Sequence, residues 1–205
     1  NKLVSLWLYA MCIAIIGMIF IGGLTRLTDA GLSITESNPV SGILPPLDGA
    51  SWDVEFGKYK QSTEYIKYNS GMSLEEFKSI YLLEFYHRIA GRLTSILYLI
   101  PFVLFLFAGR IKCKESKPYI LALVLLAGQG VMGWYMVKSG LSADQHVSHY
   151  RLAAHLMLAV FLYIIMFWQL MRNSFDIMLL PSGVSINPQN FWCLLAIILL
   201  LIQMT

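Results

Sequence analysis

Two histidines lie inside long apolar stretches of the chain, and their positions suggest that they act together. His87 lies near the start of one stretch, and His155 lies near the start of another. An ionisable side chain within a membrane-spanning segment is costly, so each histidine indicates a functional site. Two neutral imidazoles at matched depth on parallel helices can ligate one metal ion between them. Such a pair is an ordinary arrangement of axial ligands for heme iron.

Glu84 precedes His87 by three residues, which places the two side chains on neighbouring positions of one helix face. A carboxylate beside such an imidazole can handle protons during a reaction. The alternative is structural, because Glu84 and Arg88 have the i,i+4 spacing of an ion pair. A carboxylate-bridged di-iron site is excluded, since it needs a second Glu-x-x-His motif and the other apolar stretches contain no glutamate.

Small and basic residues accompany the two histidines. Three small residues leave room for a flat ligand such as a porphyrin: Gly91, Ala153 and Ala154. Arg88 and Arg92 form a second stripe, about 100° around the helix from the first histidine. His149 lies six residues before His155, about 120° away around a helix, so these two cannot face one metal ion. His149 is a candidate entry or proton-transfer group, and His146 is a weaker one.

Composition identifies the elements that must position these residues. Of the 205 residues, 57% are hydrophobic and 13% are charged, whereas a soluble domain has about 25% charged residues. This composition excludes a disordered chain, a nucleic-acid-binding protein, a coiled coil and an ordinary soluble domain. A helix needs about 20 apolar residues to cross a bilayer, and four stretches qualify: 3–24, about 84–107, 119–136 and about 151–170. We therefore predict an all-α, polytopic membrane protein whose four spans form a bundle.

A fifth apolar stretch begins at Phe191, and the chain ends within it at Thr205. The first residue is asparagine rather than methionine, so we expect the chain to be part of a longer protein. The first stretch exceeds the apolar region of a signal peptide and has no clear cleavage site after it, which favours an uncleaved span. We divide the chain into a four-helix transmembrane half at 1–170, a cytoplasmic linker at 171–190 and the truncated start of a second half at 191–205.

Basic residues indicate the orientation of the spans. The loop after the second span contains one acidic residue, Glu115, and four basic residues: Arg110, Lys112, Lys114 and Lys117. The positive-inside rule places this loop, and with it the N-terminus, in the cytoplasm. The long loop at 25–80 then lies on the outer side of the membrane.

Two short helices are predicted within this outer loop. One covers 51–56, with Ser51 as its N-cap. The other begins at Ser73, whose spacing to Glu76 is that of a capping box. Apolar residues give this second helix one apolar face, so we expect it to lie along the membrane interface and to continue into the second span.

Several sequence blocks resemble the heme A synthase family, and together they extend from residue 22 to residue 155. They are residues 22–28 (GGLTRLT), 31–34 (GLSI) with Glu36, 42–46 (GILPP), 84–88 (EFYHR), 129–130 (QG), 133–141 (GWYMVKSGL) and 150–155 (YRLAAH). The outer loop has no cysteine pair, which is similar to the class shared by proteobacteria and mitochondria. One departure is Ser37, because the family usually has tryptophan after the loop glutamate.

The resemblance implies an oxidoreductase that converts the C8 methyl group of heme O to a formyl group by successive hydroxylations. The product, heme A, would supply cytochrome c oxidase. His87 and His155 would be axial ligands or positioning groups for the substrate heme. Glu84 would handle protons or stabilise positive charge near the methyl group. The candidates for binding the heme propionates or lining the pocket are Arg88, Gly91, Arg92 and Arg151.

The family is built from two similar four-helix halves, so the resemblance implies a heme b cofactor in a C-terminal half beyond this chain, and this chain alone should be inactive. The membrane would be the bacterial or the mitochondrial inner membrane. Candidate partners are heme O synthase, cytochrome oxidase assembly factors, membrane lipid and a second copy of the chain. Two other functions stay open, a b-type cytochrome that passes electrons and a membrane protein that carries or assembles heme unchanged. The carboxylate beside His87 favours the enzyme.

Overall fold

Six α-helices make up most of the part of the chain that the structure describes. The structure is a computed structural model, and it describes residues 1–36, 42–142 and 148–175. The helices are α1 (Lys2–Leu27), α2 (Gly49–Tyr59), α3 (Thr63–Tyr68), α4 (Leu74–Phe107), α5 (Lys117–Ser142) and α6 (His149–Phe175), with 3-10 turns at Ala30–Leu32 and Cys113–Glu115. Helices α1, α4, α5 and α6 are long and apolar enough to cross a membrane. The predicted all-α, four-span membrane protein is therefore confirmed.

The four long helices pack as a bundle in which α1 lies against both α4 and α6. Helix α5 packs along α6, and α4 meets α5 over a shorter length. Buried side chains fill the end of the bundle at which the chain begins; they are Val4, Trp7, Leu8, Met11, Cys12, Ile15, Tyr98, Phe102, Ile111, Tyr119, Ala122, Leu162, Met166 and Leu170. Lipid tails are as apolar as leucine, so close packing rather than exclusion of water holds such helices together.

Pro101 lies within α4, where it removes the amide that would donate to the carbonyl of Leu97 four residues earlier. The indole Nε1 of Trp7, on α1, donates to that carbonyl at 2.9 Å. A neighbouring helix thus satisfies the acceptor that the proline frees, which is one way in which membrane helices tolerate an internal proline.

The loop between α1 and α4 folds onto the first turns of α4. Phe56 and Tyr59 of α2 stack on Phe77, with ring centroids 4.9 and 5.1 Å apart. Trp52 meets Tyr81 edge to face at 5.2 Å. These contacts attach α2 to a helix that also crosses the membrane, so α4 determines where the loop lies.

The cap at the start of α4 agrees with the prediction from the sequence, and the cap at the start of α2 differs from it. Ser73 and Glu76 form the predicted capping box at the start of α4. Helix α2 is longer than predicted, and its N-cap is Asp48 rather than Ser51. The Asp48 carboxylate accepts a hydrogen bond from the Ser51 amide at 2.7 Å, and the backbone and side-chain hydrogen bonds from Ser51 lower the pKa of the carboxyl below its ordinary value. Helix α3 was not predicted.

The observed boundaries extend the predicted spans. Helix α4 begins ten residues before 84, because the predicted interfacial helix and the second span are one continuous helix. The outer loop between α1 and α4 therefore covers 28–73 rather than 25–80. Helix α6 continues to Phe175, beyond the predicted end at 170. The rest of the predicted linker and the fifth span lie outside the described residues.

Candidate functional site

Each histidine lies against a glycine of a neighbouring helix. A Cβ placed on Gly22 of α1 would lie 3.4 Å from Nε2 of His87 on α4. A Cβ placed on Gly133 of α5 would lie 3.6 Å from Cε1 of His155 on α6. Both imidazoles therefore pack against bare backbone. A larger side chain at either glycine would occupy the space beside the ring.

These four residues lie in one layer, toward the end of the bundle that carries the outer loop. Gly22 and Gly133 lie near the ends of α1 and α5, and His87 and His155 lie in the earlier parts of α4 and α6. The helices that carry the two histidines, α4 and α6, both pack against α1. The structure thus places the two histidines that the sequence singled out at a similar level of one bundle.

Two buried clusters flank this layer, and neither includes it. The cluster at the N-terminal end of the bundle stops at Ile15 on α1 and at Tyr98 on α4. The cluster that joins the outer loop to α4 consists of six residues: Ile34, Phe56, Tyr59, Phe77, Tyr81 and Phe85. The histidine layer lies between two well-packed regions and is more open than either.

Glu84 is 2% exposed, and both of its carboxylate oxygens are occupied. Oε2 accepts hydrogen bonds from the Ser33 hydroxyl at 2.6 Å and from the Ile34 amide at 2.9 Å. Oε1 accepts from Nε of Arg88 at 3.1 Å and from Nη2 of the same side chain. Arg88 also donates to the backbone carbonyl of Ile34 at 3.3 Å. The pair therefore fastens the segment after the first 3-10 turn to α4, next to His87.

The three arginines that the sequence assigned to the site are not grouped together. Arg88 and Arg92 line a cleft of about 520 Å³ between α4 and the outer loop, and Arg92 donates to the carbonyl of Gly42 at 3.1 Å. Arg151 lies at the start of α6, where it hydrogen-bonds the Ser139 hydroxyl and lies over the Tyr135 ring, 4.9 Å from its centroid. The arginines thus occupy two places, one in the cleft between α4 and the loop and the other at the start of α6.

Gly91 contacts α1 rather than a histidine, since a Cβ placed there would meet the end of the Met18 side chain at 3.6 Å. Beside this contact, an apolar groove of about 510 Å³ runs between the two helices. It is lined by Ala14, Gly17, Met18, Ile21, Ala90, Leu93, Thr94, Ile96 and Leu97. The hydroxyl of Thr94 is bonded to a carbonyl of its own helix. One end of the groove, at Ile21 and Ala90, adjoins His87 and its glycine partner.

Of the remaining candidates, one lies apart from the layer and the other lies outside the described residues. His149 is exposed at the first residue of α6, and His146 lies outside the described residues. Within the described residues, no group of three histidine, cysteine, aspartate or glutamate side chains converges as a metal site.

The residues of the layer fit a flat, iron-containing ligand held between two imidazoles. The rings come from different helices that both pack against α1, and each ring packs against a glycine of a neighbouring helix. Nδ1 of His155 is buried and has no hydrogen-bond partner among the described residues. Neutral imidazole is a preferred ligand of heme iron. Two glycines of the layer, Gly22 and Gly133, belonged to the sequence blocks noted above, but nothing in a single sequence indicates which helix a glycine faces.

The fold and the two imidazoles define a polytopic helical membrane protein with a candidate ligand site in the half of the bundle that carries the loop between α1 and α4. The chain belongs to the COX15-CtaA family, described as cytochrome oxidase assembly protein, whose family model matches residues 5–205. Curated relatives named heme A synthase are 50% identical in Rickettsia akari, over 99% of this chain and 60% of that protein, and 53% identical in Rickettsia prowazekii, over 89% of this chain and 54% of that protein. The chain therefore spans about 60% of the length of these relatives. No solved structure matches it.

Proposed function

We propose that the full-length protein is a heme A synthase, an oxidoreductase that converts the C8 methyl group of heme O to a formyl group. Family membership and the relatives named heme A synthase support this proposal. The observation that carries it is the layer that holds His87 of α4 and His155 of α6, each packed against a glycine of a neighbouring helix. Two successive hydroxylations would give a hydrate that loses water to form the aldehyde. Heme A would then be available to cytochrome c oxidase.

In this proposal the two histidines hold the iron of heme O and orient the porphyrin, so that its C8 methyl group has a fixed position. Arg88 and Arg92 in the outer cleft, and Arg151 at the start of α6, are the candidates for pairing with the propionates, because a guanidinium fork matches a carboxylate. A heme b bound in the C-terminal part of the full-length protein would supply a path for the electrons that the oxidation releases. The described part of the chain would provide the substrate site and lack that relay.

Glu84 has two roles in this proposal. Its hydrogen bonds with Ser33, Ile34 and Arg88 hold the outer loop over the histidine layer. As a carboxylate three residues before His87, it also stabilises positive charge that develops near the methyl group, or takes up a proton when one of its donors moves away. A passive electron carrier has no need of the second role.

The apolar groove between α1 and α4 supports heme O as the substrate. Heme O carries a long isoprenoid tail, and the groove begins beside His87 and continues for about 10 Å along both helices. Its lining offers almost no free polar group. We propose that the tail lies in this groove while the iron lies between the histidines.

Pigment analysis of the full-length protein, produced with a supply of heme O, tests the proposed function. Heme A or its hydroxylated intermediate should accumulate, and the double variant His87→Ala/His155→Ala should retain no substrate heme. The matched control is His149→Ala, which removes an exposed imidazole at the start of α6 and should leave the product unchanged. Bound but unaltered heme in the parent protein would contradict the synthase and favour a b-type cytochrome or a heme carrier.

We propose that the protein lies in the bacterial inner membrane, or its mitochondrial equivalent, with the N-terminus in the cytoplasm. The loop between α4 and α5 exposes Arg110, Lys112 and Lys114, and Lys117 is exposed at the first residue of α5. Arg110 contacts Asn1 at the same end of the bundle. Cys113 is exposed in this loop. A membrane-impermeant thiol reagent should label it only after the membrane is opened, with Cys113→Ser as the control. Labelling of Cys113 in intact cells would indicate the opposite orientation.

Heme O synthase, oxidase assembly factors and a second copy of the chain are the proposed partners.

A further inference from the structure

Gln129 of α5 lies beside His155 of α6, and it has no role in the function proposed above. Its amide Nε2 donates to the backbone carbonyl of His155 at 3.1 Å. Among the described residues, two buried side-chain atoms have no hydrogen-bond partner, and they are Oε1 of Gln129 and Nδ1 of His155. Buried polar atoms without partners are rare because each costs free energy. Here the two belong to residues already in contact, and one is an acceptor while the other can donate.

We propose that Gln129 is a positioning residue for His155, with its Oε1 accepting the Nδ1–H of the imidazole directly or through one water molecule. A histidine that ligates iron through one ring nitrogen usually donates the proton on the other nitrogen to a nearby acceptor. That hydrogen bond fixes the tautomer and the orientation of the ring. With the proton on Nδ1, the lone pair of Nε2 is left for the iron of heme O. This inference rests on the proposed function, since only a ligating histidine needs a fixed tautomer.

The position of Gln129 supports this role. It lies one helical turn before Gly133, the glycine against which the His155 ring packs. On one face of α5, Gly133 therefore contacts the ring of His155 and Gln129 contacts the backbone of the same residue. The sequence also places small residues on both sides of the glutamine, Gly128 and Gly130, and a Cβ at either would meet no atom within 4 Å.

Two substitutions of Gln129 in the full-length protein separate positioning from packing. Gln129→Leu removes both the amide donor and the acceptor, whereas Gln129→Glu removes only the donor and keeps an oxygen that can accept from Nδ1. We expect Gln129→Leu to weaken binding of heme O about tenfold or more and to raise the midpoint potential of the bound heme. We expect Gln129→Glu to bind heme O nearly as well as the parent and to lower that potential, because a carboxylate draws the Nδ1 proton more strongly.

The measurements are titration of heme O followed by its Soret absorption and redox titration of the bound heme. The matched control is Ser95→Ala on α4, which removes an exposed hydroxyl that bonds to a carbonyl of its own helix and lies outside the groove, and it should change neither quantity. If the glutamine only supports helix packing, both Gln129 variants lose the bond to the His155 carbonyl and should behave alike, which would overturn the proposal. If the parent binds heme O through His155 but both variants match the parent, Gln129 has no positioning role. If the parent binds no heme O, the proposed function itself fails.

Discussion

His87 on α4 lies against Gly22 on α1, with its Nε2 3.4 Å from the point at which a Cβ of residue 22 would lie. The same relationship recurs at the other histidine, where Gly133 lies 3.6 Å from the Cε1 atom of His155 by the same measure. In two pairs of helices, α1 with α4 and α5 with α6, an imidazole ring therefore packs on the bare backbone of a glycine. This packing holds each imidazole against the backbone of a neighbouring helix.

Gly22→Leu should displace the His87 imidazole and weaken binding of heme O by about tenfold or more, whereas Gly22→Ala should be tolerated. A separation of 3.4 Å is ordinary contact for a methyl group but leaves no room for an isobutyl group. Titration of heme O into the full-length variants measures the effect. Gly23→Leu is the matched control, because a Cβ at that neighbouring position meets no atom within 4 Å. Equal losses in the two leucine variants would contradict a specific contact with His87.

Glu84→Gln should separate the charge of the carboxylate from its role in holding the loop. Glutamine keeps an oxygen that can accept from Ser33 and Ile34, but it removes the negative charge beside Arg88. We expect hydrogen exchange of residues 30–36 to stay near that of the parent and heme A formation to fall about a hundredfold. Ser33→Ala keeps the charge and serves as the control, with product retained. Full product in Glu84→Gln would restrict the residue to anchoring the loop.

Much of the architecture follows from the sequence because long apolar runs determine it. The four spans and the capping box at Ser73 depend on residue patterns within one helix. The N-cap of α2 shows that local sequence alone does not always identify the first residue of a helix. Asp48 and Ser51 are both good N-cap residues, so composition does not decide between them. The geometry does, because the Asp48 carboxylate accepts from the Ser51 amide.

The parts of the site that were not predicted depend on contacts between distant segments. The spacing of Glu84 and Arg88 indicates an ion pair, but the contact with Ser33 depends on the path of the chain through the first 3-10 turn. Likewise, helical periodicity assigns Gly91 to the same face as His87, whereas the rotation of α1 against α4 decides that Gly91 meets Met18 and that Gly22 meets the ring. A single sequence contains no measure of that rotation.

The cap of α2 should depend on pH through Asp48. The hydrogen bonds from Ser51 lower the pKa of this carboxyl in the folded state below its ordinary value of 3.8. The cap therefore contributes its full stability above that value and loses it as the pH falls through the folded-state pKa. Hydrogen exchange of the peptide covering 49–59, compared with that of α4, measures this loss. Asp48→Ala should remove the pH-dependent step, and Asp53→Ala, at an exposed position within α2, should keep it. A step that persists without Asp48 would contradict the assignment.

Filling the groove between α1 and α4 should distinguish heme O from heme b, which has no isoprenoid tail. Gly17 lines this groove, and a Cβ there meets no atom within 4 Å, so Gly17→Leu should fold and still block the tail. We expect binding of heme O to weaken about tenfold, the equivalent of losing contact for about two methylene groups, and binding of heme b to stay unchanged. Gly128→Leu on α5 is the control. Equal losses for both hemes would indicate that the substitution disturbs the packing of α1 on α4, and no loss for either heme would indicate that the tail does not lie in this groove.

Trp7 and Pro101 should show an energetic coupling, because the indole supplies the hydrogen bond that the proline removes. Trp7→Phe leaves the Leu97 carbonyl without its donor and should lower the free energy of unfolding by about 1 kcal/mol beyond the effect of a smaller ring. In a Pro101→Ala background the restored amide at residue 101 can donate to the same carbonyl, so Trp7→Phe should cost less there. Unfolding of the four variants in mixed micelles gives the coupling energy, which we expect to be about 0.5–1 kcal/mol.

Trp168→Phe, at a tryptophan that is 41% exposed on α6, should show no coupling to Pro101. An equal cost of Trp7→Phe in both backgrounds would mean that the indole acts only through the packing of its ring on Tyr98 and Tyr119.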